Sequence, residues 1–349
     1  MTDDDAPGWA AIDAALAKLY GATKPRHVGT VLSYRLGGPD PLDGISVYTR
    51  TEPVPHWHFV GYGMTELYEK TSDNGEESGW GFEFTFRLRR ALADDSPPMW
   101  PTGLLQNLAR YVFTSGNWFE PGHRINVNGP IAADREDCLM RALAFTRDPE
   151  LGEIDTPHGR MVFLQAVGLT LDEHEACERW NTLKVLDLIE PRTPLLVTDI
   201  HRPSVLDDSG AAEAVRRGVA EDGTATDAVY LSAGGWEFGG SGLTLRLGAL
   251  SAEAVAGMVR GRLAHGRSFT LDMGERAVVL FPAERWSHEE QGTDLLRLGI
   301  PAGAVAEFAD TLRPRAGRYP VGALPGLTVE IEPTVMRDQY GDETGTVIG

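Results

Sequence analysis

Cysteine is nearly absent: Cys138 and Cys177 are the only two in 349 residues. That is too few for a disulfide framework and fits a reducing cytoplasm. No apolar run reaches the roughly 18 residues a membrane helix needs, so a membrane span is not expected. The opening stretch, MTDDDAPGWAAIDAALAKLY, lacks both a basic region and a long apolar core, and reads as no secretory signal. Lysine is scarce as well, four against 28 arginines. None follows a glycine-rich turn and no GxxxxGK[ST] segment occurs, which removes the common phosphate-binding loop. The Arg-, Ala- and Gly-rich composition is most simply a GC-rich coding bias.

What is present in excess is negative charge. Asp and Glu number 51 against 32 Lys and Arg, a net charge of −19. The excess is spread along the chain, 30 acidic to 18 basic over residues 1–200 and 21 to 14 over 201–349. Neither half is a basic module, so a nucleic-acid backbone is not the expected partner. An acidic surface steers a basic protein toward itself, or serves solubility alone.

Hydrophobic periodicity gives the first outline. Trp9, Ile12, Leu16 and Leu19 recur at helical spacing and are closed by Gly21 and Pro25. Extended segments are expected at Thr30–Leu36, Ile45–Thr49 and His56–Tyr62. The clearest strand is Gly81–Arg89, where Phe82, Phe84, Phe86 and Leu88 alternate with Glu83, Thr85, Arg87 and Arg89, the pattern of a half-buried strand. Leu104, Leu105, Leu108 and Val112 then share a helical face, opened by Pro101. Arg160–Leu169 reads as a buried strand, followed by one helix from Thr170 to Ile189 and a short strand at Leu195–Asp199. Residues 203–227 are polar and read as a linker with at most one short helix. Beyond it come strands at Trp236–Phe238, Leu243–Leu247, Ser268–Leu271, Ala277–Phe281, Leu295–Leu298 and Leu327–Glu332. Helices are expected after Ser251 and over Ala302–Leu312. Most strand pairs have turn-length connections, which argues for α+β lobes with mixed or antiparallel sheets flanked by helices. The boundaries that follow are 1–27 for an N-terminal helix and lead-in, 28–202 and 228–336 for two domains, 203–227 for a linker and 337–349 for a loose tail.

Candidate chemistry is sparse. His56 and His58 share one strand face as metal ligands would, but no third ligand lies nearby in sequence, and two structural histidines flanking a buried Trp57 are the favoured explanation. The segment DEHEACERW resembles a zincin helix, yet Glu178 stands where the second histidine belongs. Neither cysteine is marked as an activated thiol, and no GxSxG elbow occurs. No catalytic residue, metal or cofactor is therefore expected. The unusual surface candidate is RYVFTSGNWFEPGHRINV at 110–127: Tyr111, Phe113, Trp118 and Phe119 surround a loop, and aromatics so placed are recognition anchors unless Phe113 and Phe119 plug a sheet. Arg260, His265 and Arg267 surround a helix end, as partner contacts or as caps for terminal carbonyls.

Several stretches together resemble the suppressor of fused family: WHFVGYGMTELY (57–68), GWGFEFTFRLRR (79–90), PPMWPTGLLQNLARYVFTSGNWF (97–119), TPHGRMVFLQAVGLT (156–170) and LLVTDIHR (195–202). The match is firm over about 28–202 and looser over 226–336, chiefly at MVRGRLAHGRSF (258–269). The resemblance implies a non-enzymatic binding protein of two α+β lobes. In animals these close around an extended peptide of a Gli-type transcription factor, which adds as a strand. It implies that Tyr111 lines the peptide groove. An acidic position of the animal pattern is occupied here by His123, so a charge contact to a peptide histidine is lost. The long insertion of animal members is missing, and the composition suggests a bacterium, where family members occur as immunity proteins against polymorphic toxins. The expected function is cytoplasmic neutralisation of a protein partner, such as a basic toxin domain, through a cleft between lobes. The expected contacts are Tyr111, Trp118, Phe119, His123, Arg260, His265 and Arg267. A peptide-binding regulator or chaperone using strand addition is the alternative, and a metal-dependent hydrolase built on His56, His58 or His174 and Glu175 is a weaker one.

Overall fold

The computed structural model describes residues 6–240, 242–337 and 343–349. The chain divides into two compact units, Met1–Cys177 with Thr182–Ala212, and Glu178–Asn181 with Glu213–Gly349. Both are α+β.

The first unit begins with α1 (Pro7–Tyr20), then β1 (Arg26–Gly29), β2 (Gly44–Arg50), β3 (His56–Tyr62), β4 (Glu77–Arg89) and α2 (Trp100–Ser115). It continues through β5 (Arg124–Asn126), β6 (Ala142–Arg147), β7 (Glu153–Thr156), β8 (Gly159–Leu169), α3 (Leu171–Arg179) and α4 (Thr182–Ile189). Among the described residues its strands form one eight-stranded sheet in the order β1-β2-β3-β4-β8-β6-β5, with β7 also paired to β8. β4 and β8 run parallel, and the other pairs are antiparallel.

This sheet is covered on both faces, and β4 shows how. Phe82, Phe84, Phe86 and Leu88 pack with Leu105, Leu108, Ala109 and Val112 of α2. Each fully buried phenylalanine contributes about 1.5–3 kcal/mol by burial. On the opposite face Ile12, Leu16 and Tyr20 of α1 pack with Tyr48, Val60, Tyr62, Met161 and Phe163. Here the structure corrects the half-buried reading of β4, because Glu83, Thr85 and Arg87 are as buried as the phenylalanines. Each polar side chain brings its own partners. Glu83 accepts from the backbone N–H groups of Gly63, Met64 and Thr65 and from the Thr65 hydroxyl. Burial nonetheless lifts its carboxyl to about 7.

Arg87 donates to Gln165, to His56 Nε2 and to Asp148, and pairs with Glu150 at 2.8 Å. Arg50 forks onto Glu150 from the other side. Two guanidiniums thus face two carboxylates. Both histidines are neutral: burial, and then the Arg87 charge, push His58 down to about 4, and burial does the same to His56. Tyr20 donates to His58 Nδ1 at 2.6 Å. His58 Nε2 lies 3.2 Å from Asp148 but off the line of a formed hydrogen bond, so that contact is electrostatic.

Three expectations for this unit change. The strand expected at Thr30–Leu36 lies earlier, as β1, and Tyr34–Leu36 is a short 3-10 turn. Val31 and Leu36 find no core and stay exposed. The long helix expected from Thr170 is broken between α3 and α4 at Trp180 and Asn181. Leu195–Asp199 is not a strand: Leu195 and Leu196 have φ of 60° and 52°, and Thr198 makes only a bridge to Leu88.

The polar stretch 203–227 holds a fourteen-residue helix, α5 (Ser209–Asp222). The second unit follows with β9 (Ala228–Tyr230), β10 (Gly234–Gly239), β11 (Gly242–Gly248), α6 (Ala249–Arg262), β12 (Phe269–Asp272), β13 (Ala277–Ala283), β14 (Ser287–Gln291) and β15 (Leu295–Pro301). It ends with α7 (Val305–Thr311), β16 (Gly317–Pro320), β17 (Leu327–Glu332), β18 (Thr334–Arg337) and β19 (Glu343–Ile348). Among the described residues its two larger sheets are β10-β11-β17-β16 and β14-β15-β13-β12-β9. The core gathers Leu245, Leu247, Val329, Leu280 and Leu298 with Val255 and Val259 of α6 and Phe308 of α7. The expected loose tail is corrected in part: β19 pairs antiparallel with β18, with Val335 opposite Val347 and the register shifting between Val335 and Arg337. Residues 338–342 of that segment lie outside the described residues.

Candidate functional site

α2 ends at Gly116, whose φ of 75° is the left-handed cap that glycine adopts without strain; its N–H closes on Val112 O at 2.9 Å. The chain then turns back through Asn117–Gly122 into β5. The two ends of the aromatic segment, Tyr111 on one side and Ile125 on the other, line a groove of about 540 Å³ beside α2, together with Trp100, Leu104, Leu108 and Ile131 among others. Leu104, Asn107, Leu108 and Tyr111 are i, i+3, i+4 and i+7 on the helix and make one wall.

The expected anchors separate here. Tyr111 is 38% exposed and Trp118 55% exposed, whereas Phe119 is only 6% exposed. Phe119 stacks on Phe145 at 4.1 Å and touches Phe84, so it is a core side chain and not a surface contact. Its ring lies 5.6 Å from that of Tyr111 and props it. Asn117 donates to the Tyr111 hydroxyl at 3.2 Å, and the Trp118 indole donates to Glu120 at 3.0 Å. His123 is exposed, and its Nδ1 accepts from the Glu120 N–H at 3.2 Å. The return loop thus holds Tyr111 of α2 through Asn117, and Trp118 and His123 through Glu120. Asn117 and Glu120, which hold them, carry no sequence signal of their own.

β5 is the last strand of its sheet. Phe145 donates to His123 O and Val127 donates to Arg141 O, so alternation turns the backbone N–H groups of Arg124 and Asn126 away from β6. Among the described residues no strand pairs with that outer edge.

The remaining expected contacts lie in the second unit. Arg260 is exposed and pairs with Asp310 at 2.9 Å. His265 is half-buried in the turn that ends at Gly266. Arg267 donates to the carbonyls of Asp222 and Gly261, so it clamps helix ends and has little left for a partner. His174 and Cys177 are buried on α3, and Cys138 is buried in the first unit. Among the described residues no group of three or more His, Cys, Asp or Glu side chains is placed to hold a metal ion.

The fold is that of a mixed-sheet α+β protein with a groove beside an edge strand that no further strand pairs among the described residues. Comparison with known proteins gives it a family. A family model described as Suppressor of fused protein (SUFU) matches residues 38–203. The human suppressor of fused homolog is 35% identical over 235 residues, 62% of this chain and 48% of that protein, so the chain spans about half the length of the curated relatives it matches. A chain of the Sufu–Fu complex is 32% identical, with a TM-score of 0.57, covering 62% of this chain and 99% of that one. The structure of Drosophila Suppressor of Fused matches with a TM-score of 0.82 at 24% identity, covering 94% of this chain and 97% of that one. The chain belongs to the suppressor of fused family.

Proposed function

We propose that this protein captures another polypeptide and performs no chemistry on it. The observation that carries the reading is that β5 ends its sheet, with no strand beyond it among the described residues, beside the α2 groove and with Tyr111 and Trp118 exposed. An extended segment adds to that edge through the Asn126 backbone, and alternate side chains enter the groove, as in strand-addition recognition generally. The solved Sufu–Fu complex supports the reading, since a relative there is seen in a protein assembly. Tyr111, Trp118 and His123 are the contacts in this proposal.

The purpose we assign to capture is neutralisation, with a basic toxin domain as the partner class. The net charge of −19 favours a cationic partner. A cytoplasmic setting belongs to the same reading, since neither Cys138 nor Cys177 is in a disulfide. The test is co-purification with the product of the adjacent reading frame, followed by Tyr111→Ala. Tyr111 closes the α2 wall of the groove, and loss of an aromatic hot spot costs about 2 kcal/mol or more, a weakening of roughly thirtyfold. A neighbouring product that does not bind removes the toxin assignment. Unchanged affinity for Tyr111→Ala removes the groove.

A further inference from the structure

The opposite flank of α2 faces a second recess. Gln106, Arg110 and Phe113 are i, i+4 and i+7 there. The Gln106 side-chain amide accepts from the Leu42 N–H and donates to the Leu42 carbonyl, and Arg110 pairs with Asp40. Phe113 alone looks into a pocket of about 470 Å³, within the range that holds small ligands. Its walls are aromatic. Tyr34 meets Phe113 edge-on at 5.0 Å, Trp80 lies 5.6 Å from Phe113, and Tyr68 closes the side. The charged residues that line it are three acids and one base: Asp43, Glu66, Glu69 and Arg35.

These charges are not equally available. Glu66 accepts from Lys70 and from the N–H groups of Thr71, Ser72 and Gly79. Burial alone would raise its carboxyl, but those donors outweigh it and hold it near about 2. It is a wall support. Glu69 is different: it is 65% exposed and pairs with Arg35, itself 52% exposed, at 2.6 Å. The Arg35 guanidinium also sits 5.0 Å over the Tyr68 ring. One arginine of the chain, carried on the short turn Tyr34–Leu36, therefore already makes at the rim the two contacts that aromatic walls and a carboxylate offer a guanidinium.

We propose that this recess binds an arginine side chain of a partner polypeptide, and that Arg35 occupies the rim contacts until it is displaced. The pocket gives the captured partner a chemical identity, a protruding guanidinium, at a place separate from the β5 edge. It extends the protein-capture reading but is tested without it.

The probe is N-acetyl-arginine methylamide, against the citrulline analogue, which keeps the shape and loses the charge. Binding is read from the Trp80 indole N–H resonance, assigned with Trp80→Phe. The arginine amide is expected to shift it saturably, and the citrulline amide is not. Arg35→Ala frees the rim and tightens binding about threefold, the size of an exposed cation–π contact. Adding Glu69→Gln in that background weakens it again by about two- to fivefold. Both residues are exposed, so neither change threatens the fold. Equal binding of the citrulline amide, or no gain in affinity with Arg35→Ala, overturns the proposal. Tyr111→Ala leaves arginine binding unchanged if the two recesses are separate. Loss of this pocket with retention of β5-edge capture, or the reverse, tells which reading has failed.

Discussion

Arg87 has no exposed surface, and His56, Asp148, Glu150 and Gln165 engage its guanidinium. Removing one partner of such a pair leaves a buried charge uncompensated, typically at about 3–5 kcal/mol. The network stays balanced only while both histidines are neutral. His56 accepts from Arg87 at Nε2, where a proton would face a guanidinium, and its Nδ1 lies 2.7 Å from Val54 O. Its folded pKa of about 4 lies below the ordinary value of 6.5. Above pH 6.5 neither state is protonated and the imidazole adds nothing to the pH slope. Between 6.5 and 4 only the unfolded chain takes up the proton, so stability falls as pH falls. Denaturant unfolding at several pH values should therefore show wild type losing about 1.4 kcal/mol per pH unit more than His56→Gln across that window. Parallel curves for the two proteins would mean that His56 is charged in the folded state. The sequence showed the histidine pair on one face of a strand. It did not show why they are neutral, because the burial that lowers both, against the opposing pull of Asp148 and Glu150 on His58, is supplied by elements distant in sequence such as α1.

At the scale of elements, β4 was legible through its alternation of Phe82, Phe84, Phe86 and Leu88 with polar residues. The burial of its polar face was not, since α1 covers that face from the far end of the chain's first unit. β14, with the sequence SHEEQ, had no apolar signal at all; it is an exposed edge strand held by its ladder to β15. The groove was half legible. Aromatic content marked the 110–127 segment, but only the packing of Phe119 on Phe145 separates a core ring from the anchors beside it. β5 gives the element its test. The Asn126 N–H points away from β6, so Asn126→Pro deletes an outward donor without breaking the ladder, as proline does on sheet edges. The loss of its Oδ1 bond to the Asn128 N–H is a cost of about 1 kcal/mol. The variant should remain folded by circular dichroism and lose most of its affinity for the captured segment. Full affinity in a folded Asn126→Pro protein would exclude strand addition at this edge.

For the whole molecule the charge decides how a partner arrives. The acidic excess is carried by both halves of the chain, so its field acts on a cationic partner before any groove contact forms. Such steering appears in the association rate more than in the dissociation rate. The Debye length shortens from about 30 Å at 0.01 M salt to about 8 Å at 0.15 M, and the long-range part of the attraction fades with it. Stopped-flow association with the partner should slow by about tenfold or more over that range, while dissociation changes little. The groove contacts of Tyr111 should show the opposite signature, with Tyr111→Ala raising the dissociation rate at every salt concentration. A partner whose association rate is indifferent to salt would not be basic, and the neutralisation reading would then lose the charge complementarity on which its partner class rests.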